Sequence, residues 1–221
     1  MAVKRNGRSG PAEAATTQPQ GGEASLSRER IATAAVDLLD ANGIGGLTMR
    51  SLADRLGCGV MSLYWYVKNK EDVFDLALDT VLDYRGPDEH DLPSDWRSEV
   101  IAVLEDWRAS MLLHPWSAAL LPRRALGPNI LRRLEFLGKR LSDAGVADAD
   151  LNVALWALWN HVMGAAVTRV SFERAPNGQP AADLGGNYPI IAGSGLLLDD
   201  DWDGAFRRGI DFLLDGLAPR R

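Results

Sequence analysis

Tyr64, Trp65 and Tyr66 are three adjacent aromatic residues, and the lysines Lys68 and Lys70 follow within four positions. Consecutive side chains on an α-helix point about 100° apart, so the three rings cannot all enter one core. At least one ring must therefore face outward, next to positively charged ammonium groups. The chemistry that suits such a surface is non-covalent contact with phosphate, which makes DNA the partner that we expect.

The overall charge does not by itself favour a nucleic-acid partner. The formal net charge is −6, and residues 25–85 contain seven Lys and Arg against nine Asp and Glu. A protein that coats nucleic acid without sequence preference needs a strongly basic surface. The composition therefore excludes that class and leaves a small, specific reader whose DNA contacts depend on a few placed side chains.

The segment ahead of the aromatic residues predicts two short helices. Ser27 and Thr48 belong to the residue types that cap helix N-termini, and Gly43 and Gly57 are suited to ending the two helices. Apolar residues recur at helical spacing in both segments, namely Ile31, Ala34, Ala35, Leu38 and Leu39, then Met49, Leu52, Ala53 and Leu56. A helix pair with a glycine-containing turn can place its second helix in the major groove of DNA, although ordinary helical bundles contain such pairs too.

The rest of the chain is predicted to be helical as well, so the expected fold class is all-α. The turn Gly57-Cys58-Gly59 leads to a third helix over Val60 to Val67, and Asn69 caps a fourth. A short helix is expected between Pro115 and Pro122. Longer ones are expected from Trp96 to Leu113, from Pro128 to a stop at Gly145, over about 25 residues from Asp148 or Asp150, and over residues 201–216, with a loop over residues 176–195.

Three organisational features bound the class of protein. Residues 1–24 are rich in Gly, Ala, Thr, Gln and Pro without an apolar period, which predicts a disordered tail. No run of about 18 apolar residues exists to form a transmembrane helix, and Lys4, Arg5 and Arg8 have no apolar stretch behind them, as a secretory signal would. The single cysteine, Cys58, cannot form an internal disulfide. We therefore expect a cytoplasmic protein.

Residues 26–85 resemble the N-terminal domain of tetracycline-repressor (TetR) family regulators. The resemblance rests on Ile31, Ala34, Leu38 and Gly43, on the runs from Leu47 to Ala53 and Leu56-Gly57, and above all on Leu63-Tyr64-Trp65-Tyr66-Val67-Lys68-Asn69-Lys70. It covers a little over a quarter of the chain, and the last run is close to that of the tetracycline repressors themselves. The resemblance implies a helix-turn-helix DNA-binding domain over residues 25–86.

The resemblance also implies roles for individual residues. Val60, Met61 and Ser62 would face base edges, with Met61 against a thymine methyl group. Tyr64, Tyr66 and Lys70 would contact phosphate at the exit from the third helix, and Leu63 and Val67 would pack inward. Trp65 is expected to pack in the small core, and partial contact with the DNA backbone is the alternative. Phosphate contacts are also expected for Arg28, Thr48 and Arg50, while a solvated face remains the alternative for Arg28, Arg50 and Arg55.

Residues 94–218 are expected to form a helical ligand-binding and dimerisation domain. Five of the seven tryptophans fall here before the last helix, and tryptophan is common in concave apolar sites. The candidate ligand contacts are Trp107, Met111, Trp116, Trp156, Trp159, Asn160 and Met163. A well-packed core in which Asn160 bonds a neighbouring helix is the alternative. His161 is expected to be structural and His114 to lie at a helix end.

The family pattern and the site residues together predict the function. We expect a homodimer that binds a palindromic operator, that represses transcription and that a small apolar or aromatic effector releases. The resembled tetracycline repressors hold magnesium–tetracycline partly through histidines. The segment from Ser117 to Arg124 has no histidine, and the fourth helix has none before His90, so we expect no magnesium site, and tetracycline becomes doubtful as the effector. No cofactor is expected. Catalytic motifs are absent from the sequence, so an enzyme is not expected. The remaining alternative is an all-α small-molecule-binding or interaction protein without operator-specific DNA binding.

Overall fold

The computed structural model describes residues 25–86, 95–173, 188–194 and 201–217. Regular structure in these ranges is entirely helical, as the all-α prediction required: α1 Arg28–Gly46, α2 Met49–Leu56, α3 Val60–Leu63, α4 Lys70–Val81, α5 Trp96–Leu113, α6 Pro115–Leu120, a 3-10 turn Leu121–Arg123, α7 Pro128–Asp143, α8 Asp148–Glu173, α9 Pro189–Ser194 and α10 Trp202–Leu217. None of these helices has the length and apolar character needed to cross a bilayer. The predicted tail over residues 1–24 lies outside the described residues.

The three predicted caps of the N-terminal helices are confirmed. The Ser27 side chain accepts a hydrogen bond from the Arg30 amide, and the Asn69 side chain accepts one from the Asp72 amide. Thr48 forms a complete capping box with Ser51, each side chain bonding the other residue's backbone amide. These bonds satisfy amides that a helix start otherwise leaves unpaired. The caps therefore fix where α1, α2 and α4 begin, and with that the spacing of the DNA-reading segment.

The third helix is shorter than predicted. It spans only Val60–Leu63 rather than Val60 to Val67, and the following residues form turns in which Leu63 O accepts from the Tyr66 and Val67 amides. The chain must change direction here, because the Lys68 amide is held by the Asp72 side chain at 2.8 Å in the first turn of α4. The aromatic residues consequently sit on a tight turn and not on a regular helix.

Glycines end both helices of the first pair. Gly43 has φ 65° and ψ −173°, which interrupts α1 before its last turn, and Gly57 has φ 67° and ψ 28° at the C-cap of α2. The Gly57 amide donates to the Ala53 and Asp54 carbonyls and closes the turn that leads to α3. The left-handed conformation at Gly57 is therefore what sets the angle between α2 and α3.

Substituting Gly57 by alanine should lower the free energy of unfolding by about 1–2 kcal/mol, which is the cost of a left-handed conformation for a residue with a Cβ. A Cβ at Gly57 would meet no atom within 4 Å, so the cost is confined to the backbone. Gly45→Ala is the matched control, because that site is equally open and its φ is not positive. Urea unfolding of both variants measures the difference, and equal stabilities would contradict it.

The C-terminal helices pack around α8, which contacts α5, α6, α7 and α10. One continuous apolar core includes residues of these helices and of α1 to α4, so the two parts of the molecule share an interior. α4 contacts α1 on one side and α7 on the other, and α6 also contacts α1. Part of the predicted loop over residues 176–195 is wrong, because Pro189–Ser194 is helical; most of the rest of that loop lies outside the described residues.

Candidate nucleic-acid interface and effector cleft

An exposed aromatic surface follows the helix-turn-helix. Its members are Met61, Tyr64 and Trp65, whose exposed fractions are 76%, 47% and 88%. The prediction that Trp65 packs in the core is wrong. Leu63 and Val67 are buried as expected and occupy the inward positions of the turn, which leaves Trp65, midway between them, on the outside. The ring with the largest apolar area is thus fully presented to a partner.

The polar residues predicted to contact DNA surround this surface. Arg28 donates through Nη1 to the Tyr66 carbonyl, so it positions the turn that carries the aromatic residues. Val60, Ser62 and Tyr66 are half-buried. Arg50 and Thr48 are exposed on α2 and at its cap. Lys70 is half-buried at the start of α4, with its Nζ 5.0 Å from the centre of the Phe74 ring.

Arg55 has a structural partner. Its Nη2 lies 2.5 Å from Asp37 Oδ2, which joins α2 to α1. Both side chains are about half exposed, so the pair contributes about 1 kcal/mol or less to stability. The solvated face that was the alternative for Arg55 is therefore confirmed, and on that face Arg55 forms a surface ion pair between α2 and α1.

An aromatic cleft opens between α7 and α8. Its volume is about 190 Å³, and its lining residues are Leu126, Leu134, Asn152, Leu155, Trp156 and Trp159. Trp156 and Trp159 stand edge to face with ring centres 6.0 Å apart. A wider and shallower groove continues on the other side of Leu134 and Leu155, with the polar residues Glu135, Lys139 and Ser142 along it. The cleft is the more enclosed and the more apolar of the two, as small-molecule sites commonly are.

The structure divides the candidate ligand residues into three groups. Trp156 and Trp159 line the aromatic cleft. Asn160 is exposed on α8. Water can therefore solvate its side-chain amide, and the prediction that Asn160 needs a ligand or a neighbouring helix as its hydrogen-bond partner is wrong. The remaining four are buried core residues: Trp107, Met111, Trp116 and Met163.

Trp107 is nevertheless connected to the cleft. Its ring stands edge to face with that of Trp159, the ring centres being 5.2 Å apart. The two rings make one continuous aromatic path from the cleft into the core between α5 and α7. A displacement of Trp159 would therefore directly change the packing of Trp107.

His161 is structural, as predicted. Its ring stacks on Phe206 of α10 at 4.9 Å with an interplanar angle of 3°. Its Nε2 lies 2.9 Å from the Phe206 carbonyl, and a carbonyl only accepts, so Nε2 carries a proton. Gly209 allows this approach, because a Cβ there would lie 2.3 Å from the imidazole.

Two polar junctions tie the DNA-reading helices to the C-terminal helices, and the sequence patterns missed both. At the first, Asp40 of α1 accepts from Trp116 Nε1 at 2.7 Å and from His114 Nδ1 at 2.9 Å. His114 lies at the boundary of α5 and α6, as predicted. The sequence offers two separate signals here, the carboxylate of Asp40 in α1 and the run His114-Pro115-Trp116 at a helix boundary. Neither signal shows that the two segments are in contact.

The second junction holds α4. Arg124 pairs with Glu71 and, at 2.7 Å, with Asp75. Asn129, at the start of α7, donates its backbone amide to Asp79 Oδ1 at 2.9 Å and its side-chain amide to the Asp79 carbonyl at 2.8 Å. α4 is thus attached to the helix that forms one wall of the aromatic cleft.

A buried arginine lies behind the cleft. Arg133 has no exposed surface and donates to Asp106 Oδ2 at 2.8 Å. Burial lowers the pKa of its guanidinium, and the hydrogen bond to Asp106 opposes that change. Burial likewise raises the pKa of Tyr84 to about 12, against the effect of the nearby Arg133 charge. The tyrosine hydroxyl therefore stays protonated, and Arg133 remains a cation.

Within the described ranges, no three His, Cys, Asp or Glu side chains are grouped as metal ligands would be.

Comparison with known proteins identifies the family. Residues 31–77 match the family model described as bacterial regulatory proteins, tetR family. Residues 89–221, more than half of the chain, match the model described as tetracyclin repressor-like, C-terminal domain. The chain belongs to the TetR family.

Relatives agree with this assignment. An HTH-type transcriptional regulator of Saccharopolyspora erythraea is 42% identical over 87% of this chain and 85% of its own length. The HTH-type transcriptional repressor DrrR1 of Streptomyces coeruleorubidus is 31% identical over 90% of this chain and 79% of its own. The crystal structure of the Streptomyces coelicolor TetR family protein ActR in complex with actinorhodin is 27% identical, with a TM-score of 0.74 over 88% of this chain and 97% of that one.

The protein is therefore a helix-turn-helix transcriptional regulator that binds DNA, and it is not an enzyme. Membership of this family of regulators also disfavours the alternative of a carrier without DNA binding.

Proposed function

We propose that the protein is a repressor that binds a palindromic operator as a homodimer and is released by a planar aromatic effector. The observation that carries this proposal is the position of α4. This helix packs on α1 of the DNA-reading unit, and Arg124 and Asn129 attach it to the segment around α7, whose residues line the aromatic cleft. A molecule that separates α7 from α8 would move α4 and the DNA-reading helices with it.

The aromatic surface supports contact with DNA. An indole that is 88% exposed is unusual for a large apolar side chain, and exposed apolar patches mark interaction sites. Tyr64 and Lys70 offer phosphate contacts beside it, and Met61 and Ser62 at the start of α3 would reach base edges. Lys68 and Lys70 directly follow this surface in sequence and supply local positive charge in a chain that is acidic as a whole.

Two observations support the proposed homodimer, namely the small size of α3 and exposed apolar residues elsewhere. One four-residue recognition helix reads few base pairs, so specificity requires two half-sites. Val153 and Val167 on α8 and Phe212 on α10 are between 41% and 76% exposed. Apolar side chains exposed on the two last long helices favour an interface between copies of these helices.

The variant Phe212→Glu should be monomeric at concentrations at which the natural chain is a dimer. A carboxylate at the centre of an apolar interface would be desolvated without a partner, which costs several kcal/mol. Light scattering after size exclusion measures the mass. Leu113→Glu is the matched control, because Leu113 is 74% exposed and belongs to α5, which is not one of the two helices proposed to form the interface. A dimeric Phe212→Glu protein would reject this face as the interface.

The effector class follows from the cleft. Two tryptophans and three leucines line a cleft of about 190 Å³, which suits a small, flat, largely apolar molecule. The similar protein ActR is crystallised with actinorhodin, which makes that compound a practical first probe. Effector and operator must oppose each other reciprocally if they favour different positions of α4.

The proposal is tested by operator release. DNA from the region upstream of the protein's own gene should be bound with an affinity that falls steeply with salt, because phosphate contacts release counterions. Actinorhodin or a related aromatic compound should quench tryptophan fluorescence and dissociate the complex. Trp156→Ala should retain DNA binding and lose the response, since the cleft loses one of its two rings. A compound that quenches fluorescence while the complex persists would contradict the switch.

A further inference from the structure

Arg133 joins three elements from a position without solvent contact. Its Nη1 donates to the Val103 carbonyl at 3.2 Å and to Asp106 Oδ2 at 2.8 Å, both on α5. Its Nη2 donates to the Asp83 carbonyl at 3.3 Å, just beyond the end of α4. Arg133 itself lies on α7. A single guanidinium therefore fixes the distance between α5, α7 and the end of α4.

The same guanidinium touches the aromatic path from the cleft. Its central carbon lies 4.7 Å from the Tyr84 ring centre and 5.4 Å from the Trp107 ring centre. Trp107 contacts Trp159, and Trp159 contacts Trp156 at the cleft. The contacts thus run without a gap from the cleft, through two indole rings and Arg133, to the residues that follow α4.

Packing alone does not account for an arginine at this position. Removing a guanidinium from water is costly, and an apolar residue of similar volume commonly gives equal or greater stability. Three buried donors around the site also lack a hydrogen-bond acceptor within the described residues: Arg133 Nε, Trp107 Nε1 and Tyr84 Oη. Each unpaired donor is destabilising, because it has lost its hydrogen bonds to water without a replacement. Because these hydrogen bonds are only partly satisfied, the side chains can adopt a second hydrogen-bonding arrangement at little cost. A switch requires two such alternative arrangements.

We infer that Arg133 is the positioning residue that couples the aromatic cleft to the end of α4. The inference rests on the proposed function, since it presupposes an effector in the cleft and an operator at α3. An effector that displaces Trp159 moves Trp107, the guanidinium loses the ring beneath it, and its bond to the Asp83 carbonyl breaks. The end of α4 is then free to move relative to α7.

The coupling can be measured from the DNA side without a known effector. If the path transmits in one direction it must transmit in the other. Protein labelled with 5-fluorotryptophan gives one fluorine resonance for each tryptophan, and single Trp→Phe variants assign them. Addition of an operator fragment should shift the resonances of Trp156 and Trp159 in the natural chain, although neither residue lies near α3.

The decisive variant is Arg133→Met, which keeps the length of the side chain and removes the guanidinium. It should bind the same fragment in a gel shift, while the operator-induced shifts of Trp156 and Trp159 are lost. Arg133→Lys should lose them too, because an ammonium cannot span the same acceptors as a planar fork; it decides the question if the methionine variant does not fold. Lys139→Met, an exposed substitution on the same helix, should leave the shifts unchanged.

Three outcomes would overturn the coupling role. They are unshifted Trp156 and Trp159 resonances in the operator-bound natural chain, shifts that persist in Arg133→Met, and equal loss of shifts in Lys139→Met. A natural chain that binds no DNA would instead overturn the proposed function, and the gel shift reports that separately.

Discussion

The double variant Tyr64→Ala/Lys70→Ala is expected to bind the operator at least about 100-fold more weakly than the natural chain at fixed salt. Hydrogen bonds to charged groups contribute about 1.5–3 kcal/mol each, and about 1.4 kcal/mol is a factor of ten in affinity. In the proposed dimer, both residues are lost from each half-site. The loss should apply to all DNA sequences, because phosphate contacts position the protein without reading bases.

Two measurements separate this effect from a loss of folding or of specificity. The slope of log affinity against log salt concentration should become shallower by about 0.9 for each lysine–phosphate contact removed. Ser62→Ala should instead change the preference at one base pair, by about 1–3 kcal/mol at most. Tyr64 is about half exposed, so unfolding curves should change little. Unchanged operator affinity in the double variant would remove Tyr64 and Lys70 from the interface.

The variant Trp107→Ala is expected to lose about 3–5 kcal/mol of unfolding free energy, the usual cost of truncating a buried aromatic residue. Trp107 has no exposed surface and packs against Trp159 and the Arg133 guanidinium. The change would leave a cavity and also remove the ring that accompanies a buried cation. Such a loss is a large fraction of the stability of most proteins.

The control for this prediction is Trp156→Ala, in which the same side chain is removed from a site that is 56% exposed. Its loss of stability should be clearly smaller, since less apolar area leaves the interior. Urea unfolding at one protein concentration compares the two, because the proposed dimerisation would make stability concentration-dependent. Equal losses of unfolding free energy in the two variants, or an undiminished stability of Trp107→Ala, would contradict the core role of Trp107. Trp107 would then again be a candidate ligand contact, as the sequence suggested.

Local signals predicted the helices well because each one acts within a few residues. Ser27, Thr48 and Asn69 cap the helices they were assigned to, and Pro128 begins α7. These features depend on backbone amides within one turn, which sequence spacing determines. The family resemblance then supplied the order of the helices and the place of the DNA-reading unit.

The errors concern residues whose environment is set by distant parts of the chain. Trp65 was expected to pack in the core, but α3 stops at Leu63 and the turn that follows directs the indole outward. Asn160 was assigned to an apolar face that is open to solvent. The junctions of Asp40 with Trp116 and of Asp79 with Asn129 join residues 76 and 50 positions apart, and no single-sequence period reports such pairs.

The junction at Asp40 bears on how freely this regulator could be recombined with its relatives. A hybrid that takes residues 25–86 from another family member exchanges the acceptor of the buried Trp116 indole without exchanging the indole. An orphaned N–H there would cost about 1–3 kcal/mol and would loosen the contact of α1 with α6. A hybrid protein should therefore take Asp40, His114 and Trp116 from the same parent. These three residues belong together although they lie on opposite sides of the boundary between residues 25–86 and the C-terminal helices.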